Sequence, residues 1–114
     1  GSMVGSGGFI VMDDTVDVME STKNLTEFYK HESCGWCTPC WSGLGWTERI
    51  LKSMEDGQGQ SGDLDKLSSQ AKMWGPGATF CALAPGAAAP LQSALKYFRE
   101  DFERHIREKR CPWR

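Results

Sequence analysis

Hydrophobic positions along the 114-residue chain repeat every three or four residues in four separate stretches, the spacing of one face of an α-helix. Each stretch lies between residues that favour helix starts or stops. The predicted helices run from Asp14-Thr15 to near His31, from Thr38-Pro39 to Gly57, from Ser61 and Asp63 to Gly75, and from beyond Pro85 and Pro90 through Ile106. Since each helix has one apolar face to bury, the sequence predicts an all-α fold, a small four-helix bundle.

The same periodicity predicts which side chains form the core. The third helix has the simplest stripe, and the fourth helix keeps its rhythm over the longest stretch. In chain order, the predicted core faces are Val18, Leu25, Phe28 and Tyr29; Trp46, Ile50 and Met54; Leu64, Leu67, Ala71 and Trp74; and Leu91, Leu95, Phe98, Phe102 and Ile106.

The first 14 residues do not fit the helical pattern. Phe9–Met12 is a short run rich in β-branched residues and predicts one strand, which cannot form a sheet alone. Gly1-Ser2-Met3 resembles the scar of a protease-cleaved tag. We therefore expect residues 1–14 to be a tag scar and the remnant of a preceding domain, residues 15–110 to form the helical domain, and residues 111–114 to be a tail.

Composition and charge narrow the classes of function. The chain has 15 acidic and 13 basic residues, a net charge of −2, and is 39% hydrophobic, which is typical of one globular domain and not of a nucleic-acid-binding module. No apolar run is long enough to cross a bilayer. The basic end of the last helix, with His105, is predicted to be a solvated face.

Three of the five cysteines form the run Cys34-Gly-Trp-Cys37-Thr-Pro-Cys40. Two-residue gaps let one loop place three sulfurs at three corners of a compact body, the manner in which [4Fe–4S] clusters are held. Structural zinc sites more often use two separated C-x2-C pairs. The spacing favours an iron–sulfur cluster, and a zinc-stabilised interaction module using the same cysteines is the alternative.

The fourth metal ligand must come from Cys81 or Cys111. Cys111 precedes a proline, as in small ferredoxins, but stands near the chain end, where order is poor. Cys81 lies in a loop restrained by glycine and proline between two helices, which favours it as the ligand and leaves Cys111 a free thiol.

Polar residues next to the cysteine run have structural explanations as well as functional ones. His31 is a candidate ligand or proton carrier, but a histidine at the C-terminal end of a helix is also favoured by the helix dipole. Glu32 and Ser33 are candidates to contact a neighbouring cofactor or to cap the helix.

Three segments resemble the C-terminal iron–sulfur domain of the NADH-binding subunit of respiratory complex I, which has relatives in NAD-linked hydrogenases and formate dehydrogenases. They are Glu32-Ser-Cys-Gly-Trp-Cys-Thr-Pro-Cys40, Thr79-Phe-Cys-Ala-Leu-Ala84 and Leu91–Glu103. The resemblance implies a helical bundle after a β-grasp-like domain, with the Phe9–Met12 strand as the last strand of that domain. It also implies four cluster ligands: Cys34, Cys37, Cys40 and Cys81.

The resemblance further implies a role. In the parent subunit NADH reduces FMN, and this cluster accepts electrons from FMN singly and passes them to further clusters toward quinone. The implied partners are the flavin/NADH-binding domain of the same chain and other iron–sulfur subunits. The implied location is the cytoplasmic side, in the peripheral arm of a membrane-bound complex, without direct membrane insertion.

Two features distinguish this chain from the whole family pattern. The family usually continues with Cys-Arg-Glu/Asp-Gly after the third cysteine, whereas Trp41-Ser42-Gly43 follows here, and loss of the cation should lower the cluster potential. No glycine-rich phosphate loop follows a strand, so this segment alone is expected to bind neither NADH nor FMN. We therefore expect an electron-relay module that is not an enzyme by itself.

Overall fold

The computed structural model describes residues 3–114, and Gly1 and Ser2 of the predicted tag scar lie outside them. The protein is all-α, as predicted, but it has five helices instead of four. They are α1 (Val18–Glu32), α2 (Thr38–Glu55), α3 (Asp63–Lys72), α4 (Leu83–Tyr97) and α5 (Arg99–Glu108). Helix α1 packs against α2 and α4, and α3 packs against α4.

The predicted fourth helix is divided by a bend at Phe98. This residue has φ −126° and ψ 29°, outside the helical region, and it separates α4 from α5. The prediction that both prolines precede the helix is also wrong for one of them. Pro85 occupies the first turn of α4, where its missing N–H is not needed, but Pro90 lies inside the helix. The apolar periodicity continued across the bend and hid it.

Each helix contributes side chains to one core. Helix α4 supplies mainly small residues, which allow close approach: at Gly86, a Cβ atom would lie 3.6 Å from the Tyr29 ring of α1. The third predicted stripe is confirmed, since Leu64, Leu67, Ala71 and Trp74 are all buried. The other large buried side chains are Met19, Leu44, Leu51, Met54, Leu91 and Phe102.

Two predicted core faces are rotated from those observed. In α1, Leu25 and Phe28 are exposed, and the buried positions are Met19, Thr22 and Thr26. Both threonine hydroxyls donate to backbone carbonyls four residues earlier, Val18 and Thr22, so burial leaves neither unsatisfied. In α2, Trp46 is half exposed, and Leu44 and Leu51 are buried instead.

The predicted strand at Phe9–Met12 is not formed. These residues are exposed and have no regular secondary structure in the described chain. The predicted start of α1 is also too early. Asp13 accepts hydrogen bonds from the amide and hydroxyl of Thr15 in a local turn, and Asp17 is the residue that caps the helix, accepting from the Met19 amide at 2.9 Å.

His105 and Cys111 are buried, contrary to the predictions of a solvated histidine and a disordered chain end. Nε2 of His105 lies 3.0 Å from Oδ2 of Asp17, and its Nδ1 lies 2.7 Å from the carbonyl oxygen of Asp101. Cys111 Sγ donates to the same Asp17 oxygen at 3.4 Å. The carboxylate that begins α1 therefore joins α5 and the C-terminal segment.

Asp17 and His105 form a buried ion pair. Burial disfavours the charged imidazole, but its hydrogen bonds to Asp17 and Asp101 and the negative charges of Asp17 and Glu55 outweigh this, so the pKa of His105 is raised. Burial likewise opposes ionisation of Asp17, but the hydrogen bond and charge of His105 and bonds from an α1 amide and Cys111 outweigh it, and the pKa of Asp17 is lowered.

Asp17→Asn should test this pair in the metal-free chain, because asparagine keeps the helix cap and removes the charge. We expect a loss of about 3 kcal/mol in the free energy of unfolding, the low end for breaking a buried ion pair, because the imidazole can lose its proton. The contribution of His105 is full below its unfolded pKa of about 6.5 and is lost as pH rises through its raised folded pKa. The contribution of Asp17 is full above about pH 3.9 and is lost on acidification.

Urea denaturation of both proteins from pH 4 to 9, at about unit intervals, measures the difference. The advantage of the unsubstituted chain should be largest between about pH 4 and 6.5 and should decline above that range. Asp14→Asn is the matched control, an exposed aspartate expected to change stability by less than about 0.5 kcal/mol. A difference independent of pH would contradict the ion pair.

Candidate metal centre

Four cysteines line one cavity of about 260 Å³: Cys34, Cys37, Cys40 and Cys81. The first three lie on the short connection between α1 and α2 and on the first turn of α2, and Cys81 lies on the loop before α4. They form no disulfide; Cys34 and Cys81 are exposed and Cys40 is buried. Cys111 is outside this cavity, in the cluster with Asp17 and His105.

Three helix ends meet at the cysteine cavity. Cys37 is the N-cap of α2 and has no side-chain cap bond, and Leu83 begins α4 at the cavity wall. The N-terminus of a helix carries a partial positive charge and unpaired N–H groups. Two such ends beside four thiols favour the thiolate form, or any anionic group, in the cavity.

The cysteine loop is shaped by local backbone geometry. Gly35 has φ +83°, a left-handed conformation that favours glycine, and lets the chain turn between Cys34 and Cys37. In the opposite loop, Gly77 has φ +90°, and the Ala78 amide donates to the Gly75 carbonyl at 3.1 Å. Both loops are therefore tight turns.

Hydrogen-bond donors contact two of the four sulfurs. The hydroxyl of Ser33 lies 3.2 Å from Cys40 Sγ, and the amide of Phe80 donates to Cys37 Sγ at 3.4 Å. Ser33 is also the C-cap of α1, so the two roles considered for it from the sequence occur together. The amide of Phe80 had no signal in the sequence, because any residue supplies the same backbone donor.

The other candidate residues lie at different positions around the cavity. Glu32 contributes to its wall. His31 does not; its side chain is exposed and pairs with Glu32 at 3.1 Å. Trp36 and Trp41, predicted to shield the cysteine site, are largely exposed, and Trp36 lines a neighbouring cavity with Cys37 and Phe80.

The sulfurs are spread around the cavity instead of gathered at one point. Within residues 3–114, the group of three His, Cys, Asp or Glu side chains whose ligand atoms all lie within 4.8 Å is Asp17, His105 and Cys111. No three of the four cavity cysteines approach that closely. A zinc ion with four Zn–S bonds of about 2.3 Å would hold the sulfurs about 3.8 Å apart. The space between the thiols is suited to a body of several atoms.

The chain is similar to known proteins over nearly its whole length. Residues 20–105 match the NADH-ubiquinone oxidoreductase-F iron-sulfur binding region. Identity is 49% over 108 residues with the F subunit of NADH-quinone oxidoreductase in Escherichia coli (strain K12), covering 95% of this chain and 24% of that protein.

Two further relatives give the same result. The protein named F 2 among the NADH-quinone oxidoreductase subunits of Rhizobium meliloti (strain 1021) is 49% identical over 114 residues, covering 99% of this chain and 27% of that protein. The corresponding F subunit of Streptomyces coelicolor is 48% identical over 113 residues, covering 99% of this chain and 25% of that protein. The chain therefore spans about a quarter of the length of the curated relatives it matches.

One tertiary contact anchors the helix that carries Cys40. The buried indole of Trp74, just after α3, donates from Nε1 to the Pro39 carbonyl at 2.8 Å. Gly43, one turn along α2 from Pro39, lies against this ring: a Cβ there would be 2.6 Å from Nε1 and 2.8 Å from Oε1 of Gln70. At Gly45 the nearest atoms would be 3.8 Å away or more.

Gly43→Ala and Gly45→Ala should therefore have opposite effects on stability. Gly43→Ala should destabilise by about 1–3 kcal/mol, because the indole must move away from the Pro39 carbonyl. Gly45→Ala should stabilise by about 0.5–1 kcal/mol, because alanine is the better helix former and space is free. Urea denaturation of the metal-free proteins measures both. Equal effects of the two substitutions would contradict the proposed anchor.

Proposed function

Because the chain belongs to the family of NADH-ubiquinone oxidoreductase-F iron-sulfur binding regions, we propose that it relays electrons through a [4Fe–4S] cluster. The proposed ligands are the thiolates of Cys34, Cys37, Cys40 and Cys81. When bound, such a cluster accepts and donates one electron at a time. One observation carries the choice of a cluster over a single ion: four thiols surround a 260 Å³ cavity, and no three of their sulfurs lie within 4.8 Å.

The protein would supply three things to such a cluster. The first is the set of four thiolates on two tight loops. The second is positive potential from the N-termini of α2 and α4, which offsets the negative charge of the thiolates. The third is hydrogen bonding at sulfur from the Ser33 hydroxyl and the Phe80 amide, which favours the reduced state.

In the longer parent protein, we propose that this cluster accepts electrons from FMN after FMN is reduced by NADH, and passes them to clusters of other subunits. The partners would be the flavin/NADH-binding domain of the same chain and those iron–sulfur subunits, in the peripheral arm on the cytoplasmic side. Within residues 3–114, no helix combines the length and hydrophobicity needed to cross a membrane.

The choice of the fourth ligand can be tested by reconstituting the chain anaerobically with iron and sulfide. About four iron and four sulfide per chain are expected, with visible absorption that bleaches on dithionite reduction. Cys81→Ser should abolish stable incorporation, and Cys111→Ser, the matched control, should retain it, because Cys111 lies outside the cavity. The reverse pattern would overturn the ligand assignment.

The same reconstitution separates the proposed relay from the zinc alternative. A chain that takes up zinc at the four cysteines, but no iron and sulfide, would be a structural or interaction module. Such a protein would be colourless and would show no reduction by dithionite.

Ser33→Ala should lower the midpoint potential of the reconstituted cluster, because it removes a hydrogen-bond donor that stabilises the more negative, reduced state. Potentiometric titration of the visible spectrum measures the change. Ser33→Thr keeps a hydroxyl and should retain most of the original potential. Equal potentials for the alanine variant and the unsubstituted chain would show that this hydroxyl does not contact the reduced cluster.

A further inference from the structure

A second group of metal-binding side chains lies apart from the cysteine cavity. Asp17 precedes α1, His105 is on α5 and Cys111 follows α5. One oxygen or nitrogen or sulfur atom from each lies within 4.8 Å of the other two, and the residues are only 4%, 0% and 6% exposed. Residues far apart in sequence have been brought together in a water-poor place.

Two of the three side chains are oriented by partners outside the group. Oδ1 of Asp17 accepts the Met19 amide at 2.9 Å, which turns Oδ2 toward His105 and Cys111. Nδ1 of His105 lies 2.7 Å from the Asp101 carbonyl, which directs Nε2 at the group. A ligating histidine in proteins commonly donates its other nitrogen to a backbone carbonyl in this way.

The charge balance of the group suits a divalent cation. In the metal-free chain, an imidazolium, a carboxylate and a neutral thiol sum to zero charge. A Zn²⁺ ion bound to a thiolate, a carboxylate and a neutral imidazole also sums to zero, and the two displaced protons, from Nε2 and from Sγ, pass to solvent. A buried site can therefore exchange protons for the metal without leaving uncompensated charge.

We propose that Asp17, His105 and Cys111 form a zinc site that joins the start of α1 to α5 and the C-terminal segment. Sulfur, imidazole nitrogen and carboxylate oxygen are all zinc ligands, and a water molecule would complete the tetrahedron. A single thiolate cannot hold an iron–sulfur cluster. The indole of Trp113 stacks on the His105 ring, with centroids 5.7 Å apart, and covers one side of the group.

Cobalt is the probe, because Co²⁺ replaces zinc and gives visible bands and a thiolate charge-transfer band. A chain with all four cavity cysteines changed to serine removes competition and makes the test independent of the proposed electron relay. We expect about one equivalent of Co²⁺ to bind with thiolate charge transfer, and zinc to displace it.

Three substitutions in that background test the ligands. Cys111→Ser should remove the charge-transfer band and lower zinc affinity by at least about 100-fold, since loss of outer-shell partners alone costs about 10–100-fold. His105→Gln and Asp17→Asn should also weaken binding strongly. His31→Gln is the matched control: this exposed histidine should leave binding unchanged. Circular dichroism checks that each variant is helical.

Binding without a thiolate band, or affinity unchanged by His105→Gln in a helical protein, would overturn the proposal. If the four-serine chain does not fold, zinc counting on the chain with all five cysteines decides the matter. Cys111→Ser should then bind about one equivalent less than the unsubstituted chain. Equal stoichiometry and affinity in those two proteins would exclude zinc at Cys111.

Discussion

Four thiols on two separate loops must face one cavity, and this requirement governs where the helices of the bundle begin and end. Cys37 and Cys40 are placed by the first turn of α2, and Cys81 by the loop that leads into α4. Neither loop can hold the geometry alone, since each contains a left-handed glycine, Gly35 or Gly77, and few buried side chains. The packing of α1, α2 and α4 therefore sets the distances between sulfurs.

The Trp74 indole shows how the core reaches the cysteine site. It is buried, stands at the end of α3 and donates to a backbone carbonyl at the start of α2. The bond satisfies both a buried indole N–H and a carbonyl of the first helical turn. Gly43 is small because this ring occupies the space that a side chain would fill. Packing at the far side of α2 thus fixes the position of Cys40 through a chain of close contacts.

The sequence predicted the parts that local patterns determine and missed those that depend on distant partners. The Cys34–Cys40 run and the stripe of α3 need only short spacing rules, and the structure brings the four predicted cysteines together. The α4–α5 bend was missed because apolar residues continue on both sides of Phe98. His105 was predicted to be solvated because its neighbours on α5 are charged, and its partner Asp17 lies 88 residues away.

The two side-chain clusters lie at opposite ends of α1, and this separation has a mechanical consequence. Asp17 caps the first turn and Ser33 ends the last, so 15 helical residues, a length of about 22 Å, stand between them. The side chains that hold α1 in place, such as Met19 and Thr26, lie between the clusters and contact the core directly. Changes in charge at the cysteine cavity are thus separated by more than two Debye lengths, about 8 Å each at physiological salt, from the ion pair at the other end. The core can keep the helix ends in position whichever state the thiols adopt, as a site that gains and loses electrons requires.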